Sequence, residues 1–134
     1  MEGPLPVGSG RIDVPIARRG DSIIGRCVRE DGKPSVTEYT VLAASASHAL
    51  VSCFPVTGRT HQIRVHFSWL GHTDIIARHA LHCAVLRFNR PADHEPRRVQ
   101  SPLPEDFLAA CCAAYLPDKE EIQTMLQSVL PCAE

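Results

Sequence analysis

Almost no net charge is present in this chain of 134 residues, where 14 Lys and Arg stand against 15 Asp and Glu. A global basic field of the kind that marks many nucleic-acid binders is thereby excluded. Also missing is any apolar run near the ~20 residues that a membrane span requires. The opening Met1-Glu2-Gly3-Pro4-Leu5-Pro6 has neither the basic segment nor the apolar core of a secretory leader. A soluble chain with no membrane partner is expected, with an organelle address left open. No C-x-x-C pair occurs among the six cysteines, so neither a disulfide framework nor a zinc site is expected, in spite of the near trio His79, His82 and Cys83. Cys53 and Cys83 fall in apolar strand-like runs, and Cys111 and Cys112 in an alanine-rich helical run. Thiols in such places act as small hydrophobes, which fits a reducing intracellular compartment.

What the chain does hold is enough apolar material, 44% of residues, for one core and at most one domain. Its charge is unevenly spread. Residues 1–64 carry eight Lys/Arg against six Asp/Glu, and residues 65–134 carry six against nine. The first half can therefore form a local basic patch from Arg18, Arg19, Arg26, Arg29, Arg59 and Arg64.

The most unusual stretch is Thr57-Gly58-Arg59-Thr60-His61-Gln62-Ile63-Arg64-Val65-His66, a glycine turn running into a doubly basic segment. Its pattern predicts the end of a strand over 50–56, a turn at Gly58, and a helix N-capped by Thr60 that stops at Gly71. Ile63, Phe67 and Leu70 would form its apolar stripe, with Arg64 off that stripe and free to face a neighbouring groove. A guanidinium is a permanently charged fork suited to a phosphate or carboxylate. A solvated surface helix explains the same ten residues equally well.

Upstream, alternating apolar residues predict strands over 11–16, 22–29 and 36–43. The turn at Asp31-Gly32-Lys33-Pro34 suggests that consecutive strands pair as an antiparallel meander, crossed by the helix. Thr37, Tyr39 and Val41 would share one face. Downstream, residues 79–88 read as a central strand covered on both faces, residues 89–100 as a patternless charged loop, and residues 105–116 as a helix. Asp118 and Glu121 form a capping box for a last helix with the stripe Ile122, Met125, Leu126 and Val129, a core or partner surface. The fold class is α+β, a mainly antiparallel sheet with packed helices. The divisions are a loose lead-in over 1–9, a domain over 10–116 and a C-terminal helix over 117–134.

The ten-residue stretch resembles the signature of the RluA-type RNA pseudouridine synthases. Other blocks follow in that family's order: Gly10 to Arg18 as G-x-I-x-x-P-I-x-R, Gly32 to Tyr39 as a G-K-x-A-x-T-x-Y strand, Leu70-Gly71-His72, Arg78 to Cys83 as R-x-x-L-H-A, and Pro102 to Phe107 as P-L-P-x-D-F. The resemblance covers about residues 10–107, as part of the catalytic domain. It implies isomerisation of uridine to pseudouridine in RNA, rRNA or tRNA, with no cofactor and no metal. It also implies that Arg64 is the arginine that pairs with a catalytic aspartate, that Leu81 walls the uridine pocket, and that Arg59, Thr60, His61 and Arg18 contact substrate.

Two of the family's parts are missing from these residues. There is no H-R-L-D string for the nucleophilic aspartate and no K-x-Y strand for the active-site tyrosine, and Tyr39 lies in a different strand. The segment between His72 and Arg78 is also shorter than the family's. The expectation is a fragment, splice form or incomplete gene model of such an enzyme, inactive alone, with Arg64 solvated and a sheet edge left open. The alternatives are a non-catalytic RNA-binding or regulatory remnant, and an interaction role through the exposed sheet edge or the C-terminal helix.

Overall fold

The computed structural model describes residues 5, 7–20, 22–72, 80–114, 116, 118, 120–122, 124 and 125. Within them the chain is α+β, and every strand pairing is antiparallel. The strands are β1 (Gly8–Asp13), β2 (Ile16–Arg18), β3 (Arg26–Val28), β4 (Val36–Ala44), β5 (Ala49–Pro55), β6 (Val85–Asn89) and β7 (Pro96–Gln100). The helices are α1 (Gln62–Trp69), which follows β5, and α2 (Glu105–Ala113), which follows β7.

β4 is the centre of a three-stranded sheet ordered β1-β4-β5. A simple meander is therefore not formed. β1 stops at Asp13, before Val14-Pro15, and β2 and β3 leave the sheet to make a hairpin of their own. Proline has no N–H to give a ladder, so the chain bends there instead of continuing the strand. β4 returns to pair with β1 in the register Gly10↔Tyr39 and Ile12↔Thr37. The ring of Tyr39 lies over Gly10, so close that a side-chain carbon there would sit 2.4 Å from it.

Side-chain alternation along β4 and β5 serves two small cores. Val41 and Ala49 join Leu5, Ile12 and Phe67 in the first, with Tyr39, Val51 and Cys53 packed against it. Phe67 is fully buried and meets Tyr39 edge-on at 5.5 Å between ring centroids, so truncating it to alanine should cost about 3–5 kcal/mol. Leu50, Cys111 and Ile122 form the second core, with Leu42, Ala43, Leu103 and Phe107 against it. The pairing register shifts between Val41 and Ala43. Such a bulge lets a strand change which residues it turns to each side.

Several sequence expectations are revised. The supposed lead-in contributes Leu5 to the core and Gly8 and Ser9 to β1. The strand expected over 79–88 is only β6, and it lies on the surface as half of a hairpin with β7, in the stretch read as patternless. A strand exposed along its whole length has no buried face to impose alternation, so its sequence carries no period. Cys83 is exposed and precedes the strand. α2 ends at Ala113 and has Glu105 and Asp106 in its first turn, as the helix dipole favours. The capping box at Asp118 forms: its carboxylate accepts the Glu121 N–H, and Glu121 accepts the Asp118 N–H in return. Ile122 beyond it is buried, while Leu126 and Val129 lie outside the described residues. Among the described residues no helix is long and apolar enough to cross a membrane.

Candidate nucleic-acid cleft

The segment linking β5 to α1 is held by one side chain, Gln62. Its Oε1 accepts the Thr57 hydroxyl at 2.7 Å and the Arg59 N–H at 3.0 Å. Its Nε2 donates to the Val36 carbonyl at 2.8 Å and to the Thr37 hydroxyl oxygen at 3.0 Å. Thr57 in turn accepts the Val36 N–H. The 57–62 turn is thereby tied to the central strand by a buried amide with all its capacity in use.

One helical turn on, His66 continues the chain. Its Nδ1 lies 2.9 Å from the Thr37 Oγ1 and its Nε2 lies 3.2 Å from the Val14 carbonyl oxygen. A carbonyl can only accept, so Nε2 carries the proton and Nδ1 accepts from Thr37. The donors then run in one direction, from Gln62 to Thr37 to His66 to Val14. Burial pushes the His66 pKa down, against smaller upward pulls from the Val14 bond and Asp13, and the ring is neutral. Thr37 and His66 have no solvent exposure, and no buried side-chain polar atom among the described residues lacks a partner.

This network changes the reading of α1. The N-cap is His61, not Thr60, and its side chain makes no capping bond. The Gln62 N–H, one of those a Thr60 hydroxyl would cap, bonds instead to the Arg59 carbonyl at 3.0 Å. His61 adopts the left-handed conformation, φ 58° and ψ 21°, a strain of about 1–3 kcal/mol that surrounding contacts must hold. The buried face is Gln62, His66 and Phe67, with Ile63 partly covered and Leu70 37% exposed. The expected stripe was thus rotated towards polar residues. The helix does stop at Gly71. At φ 86° this residue completes a Schellman motif, with Gly71 N–H bonded to the Ser68 carbonyl and His72 N–H to the Phe67 carbonyl.

With one face of α1 committed to the sheet, the other lines a cleft of about 740 Å³. His61, Arg64, Val65, Ser68, Trp69 and His72 form that wall. Arg19, Ile24 and Arg26 approach from the β2–β3 hairpin, and Leu81 and Phe107 from later in the chain. Among the described residues three arginines and two histidines line it, and none of the lining residues is Asp or Glu. In a chain of net charge −1 this is a concentrated positive field. Arg64 is exposed, and no carboxylate among the described residues pairs with it. Among the described residues no three His, Cys, Asp or Glu converge as a metal site would need.

The six residues singled out from sequence therefore separate. His61, Arg64 and Leu81 meet in the cleft. Arg59 turns away, its Nε donating to the Pro34 carbonyl at 3.1 Å, and Thr60 is exposed outside the cleft lining. Arg18 lines a smaller depression of about 390 Å³ with Ser22, Ile23 and Arg29, joined to the cleft by Arg19, which borders both. Of the basic residues noted earlier, Arg19 and Arg26 belong to the cleft. Gln62, Thr37 and His66 were missed as a unit. The signal for them was polar residues at i and i+4 on a helix opposite an inward threonine, a pattern that the apolar-stripe rule discards.

Residues 7–69 match the family described as RNA pseudouridylate synthase. An uncharacterized RNA pseudouridine synthase of Bacillus subtilis (strain 168), YjbO, is 40% identical over 118 aligned positions, with 80% of this chain and 42% of that protein covered. The ribosomal large subunit pseudouridine synthase D of Xanthomonas campestris is 34% identical over 126 aligned positions, with 75% of this chain and 38% of that protein covered. Among solved structures, human RNA pseudouridylate synthase domain containing 1 superposes with a TM-score of 0.67 at 27% identity, over 98% of this chain and 64% of the human one. The chain thus spans about two fifths of the length of the curated relatives it matches.

Proposed function

Because the chain belongs to the RluA-type RNA pseudouridine synthases, we propose that its cleft binds RNA and forms one wall of the site where uridine is isomerised. The observation that carries this reading is the cleft lining: among the described residues, three arginines, two histidines and no acid, beside apolar Leu81. Isomerisation breaks the bond between the ribose and N1 of uracil and joins the ribose to C5, with a proton leaving C5 and one gained at N1. A base must leave its stack first, at a cost of a few kcal/mol, and apolar walls with charge held in place offset that cost.

In this reading Arg64 holds the extruded nucleotide and pairs with the catalytic aspartate of a complete synthase, His61 contacts the backbone beside it, and Leu81 presses on the base. Arg59 and Thr60 shape the turn, and Arg18 meets phosphate at the smaller depression. The polypeptide of 134 residues contains no H-R-L-D string, so by itself it binds RNA without isomerising uridine. The test is to incubate it with structured uridine-bearing RNA, measure binding against salt, and map pseudouridine chemically. Salt-sensitive binding without product is expected. Robust product from this chain alone would overturn the division of labour, and absence of RNA binding would overturn the reading of the cleft.

A further inference from the structure

Trp69 is the only tryptophan in the chain, and 54% of its surface is open to solvent. It lines the cleft on the same face of α1 as Arg64, Val65 and Ser68. Positions i, i+1, i+4 and i+5 share one side of an α-helix, and five residues at about 1.5 Å each put the Cα of Trp69 ~7.5 Å along the axis from that of Arg64. The neighbouring wall brings Arg19, Arg26 and exposed Ile24 from the β2–β3 hairpin. A large aromatic ring held open in a cleft of cations is matched by a ligand with a flat, uncharged face and an attached anion. An unpaired nucleotide is such a ligand.

We propose that Trp69 is a stacking site for an unpaired nucleobase next to the target uridine, with Arg64 holding the adjoining backbone. The inference rests on the cleft being an RNA site, and it adds where a flanking base is read. An indole accepts any base face, so the site selects for a single-stranded or splayed neighbour over a continuous duplex, and for particular bases only through stacking strength.

The experiment titrates the 134-residue chain with an end-labelled oligouridylate and with an abasic ribose-phosphate oligomer of equal length and charge. Anisotropy reports binding, and Trp69 emission reports stacking. Oligouridylate should quench the emission and bind about 10-fold more tightly than the abasic oligomer. Trp69→Phe should keep that preference, and Trp69→Ala should cut it several-fold, to the part that Leu81 supplies, while leaving the salt slope unchanged, because no charge is removed. Circular dichroism confirms that both variants fold. If RNA binds but the emission is unchanged and Trp69→Ala keeps the base preference in full, the stacking inference fails and the cleft reading stands. If a protein segment covers the ring instead, neither oligomer alters its emission, which counts against stacking in the same way. If neither oligomer binds at all, both readings fall.

Discussion

His66 and Thr37, 29 positions apart in the chain, share a buried hydrogen bond of 2.9 Å that joins the helix of the cleft to the central strand. Because Thr37 also accepts from Gln62, its one hydroxyl keeps two other side chains satisfied. Replacing Thr37 with valine preserves shape and removes that oxygen. The Nδ1 of His66 is then buried without a donor, and stability should fall by about 1–3 kcal/mol. Urea unfolding followed by circular dichroism checks this, with a lower midpoint at an unchanged slope expected.

The same network makes stability depend on pH. Burial depresses the His66 pKa below its ordinary 6.5, so just below that value the unfolded chain binds a proton that the folded chain refuses. Stability is therefore fully present above pH 6.5 and is lost as pH falls from there towards the folded-state pKa. His66→Gln should flatten this part of the profile, whatever it does to stability at neutral pH. A variant profile parallel to that of the parent from pH 7 to 5 would show that another group titrates.

Arg64 sits at the opposite extreme, exposed and making no packing contact that the core needs. Arg64→Ala should change unfolding free energy by no more than about 0.5 kcal/mol. Its effect should appear in RNA binding, with weaker affinity and a salt slope reduced by about one. A full slope after the substitution would remove the guanidinium from the phosphate contacts.

Cysteine reactivity should follow burial. Desolvation pushes the Cys53 pKa up to about 12 and raises that of Cys111, whereas Cys83 and Cys112 are exposed. The thiolate is the nucleophile, so at pH 8 iodoacetamide should label Cys83 and Cys112 well before Cys53 and Cys111. Peptide mass spectrometry, with a denatured control in which all of them react, reads the order directly.

Gly71 should resist substitution for a backbone reason alone. No atom lies within 4 Å of where a side-chain carbon would stand, yet φ is 86°. Gly71→Ala should then cost about 1–2 kcal/mol through left-handed strain, while Gly58→Ala, equally open and without positive φ, should cost less. Equal losses at the two sites would locate the cost elsewhere than in the backbone angle.

How much of this could be read in the sequence varied with how each residue is buried. Thr37, Tyr39 and Val41 alternate inward along β4, and period two shows that plainly. α1 was harder. Its inward face contains Gln62 and His66, and any rule that assigns polar residues to solvent turns the helix the wrong way. β7 left no trace because all five of its residues are exposed. Arg64, His61 and Leu81 were found through the shared motif blocks and do meet in the cleft, but Arg59 and Arg18 carry the same charge and point elsewhere. Only the path of the chain after Pro15 decides which arginines converge. Trp69 is the last residue of α1, where sequence offers no way to tell a packed ring from an open one.

Among the described residues β4 alone is paired along both flanks, while β1 and β5 each pair along one and the two hairpins stand apart from that sheet. Amide protons exchanging into heavy water should therefore leave in a hierarchy. Those of β6 and β7 go first, through small local openings, and those at the middle of β4 go last, only when the whole sheet comes apart. Since Thr37 belongs to that slowest strand, the anchor of the α1 helix should persist through every partial opening that the rest of the molecule undergoes.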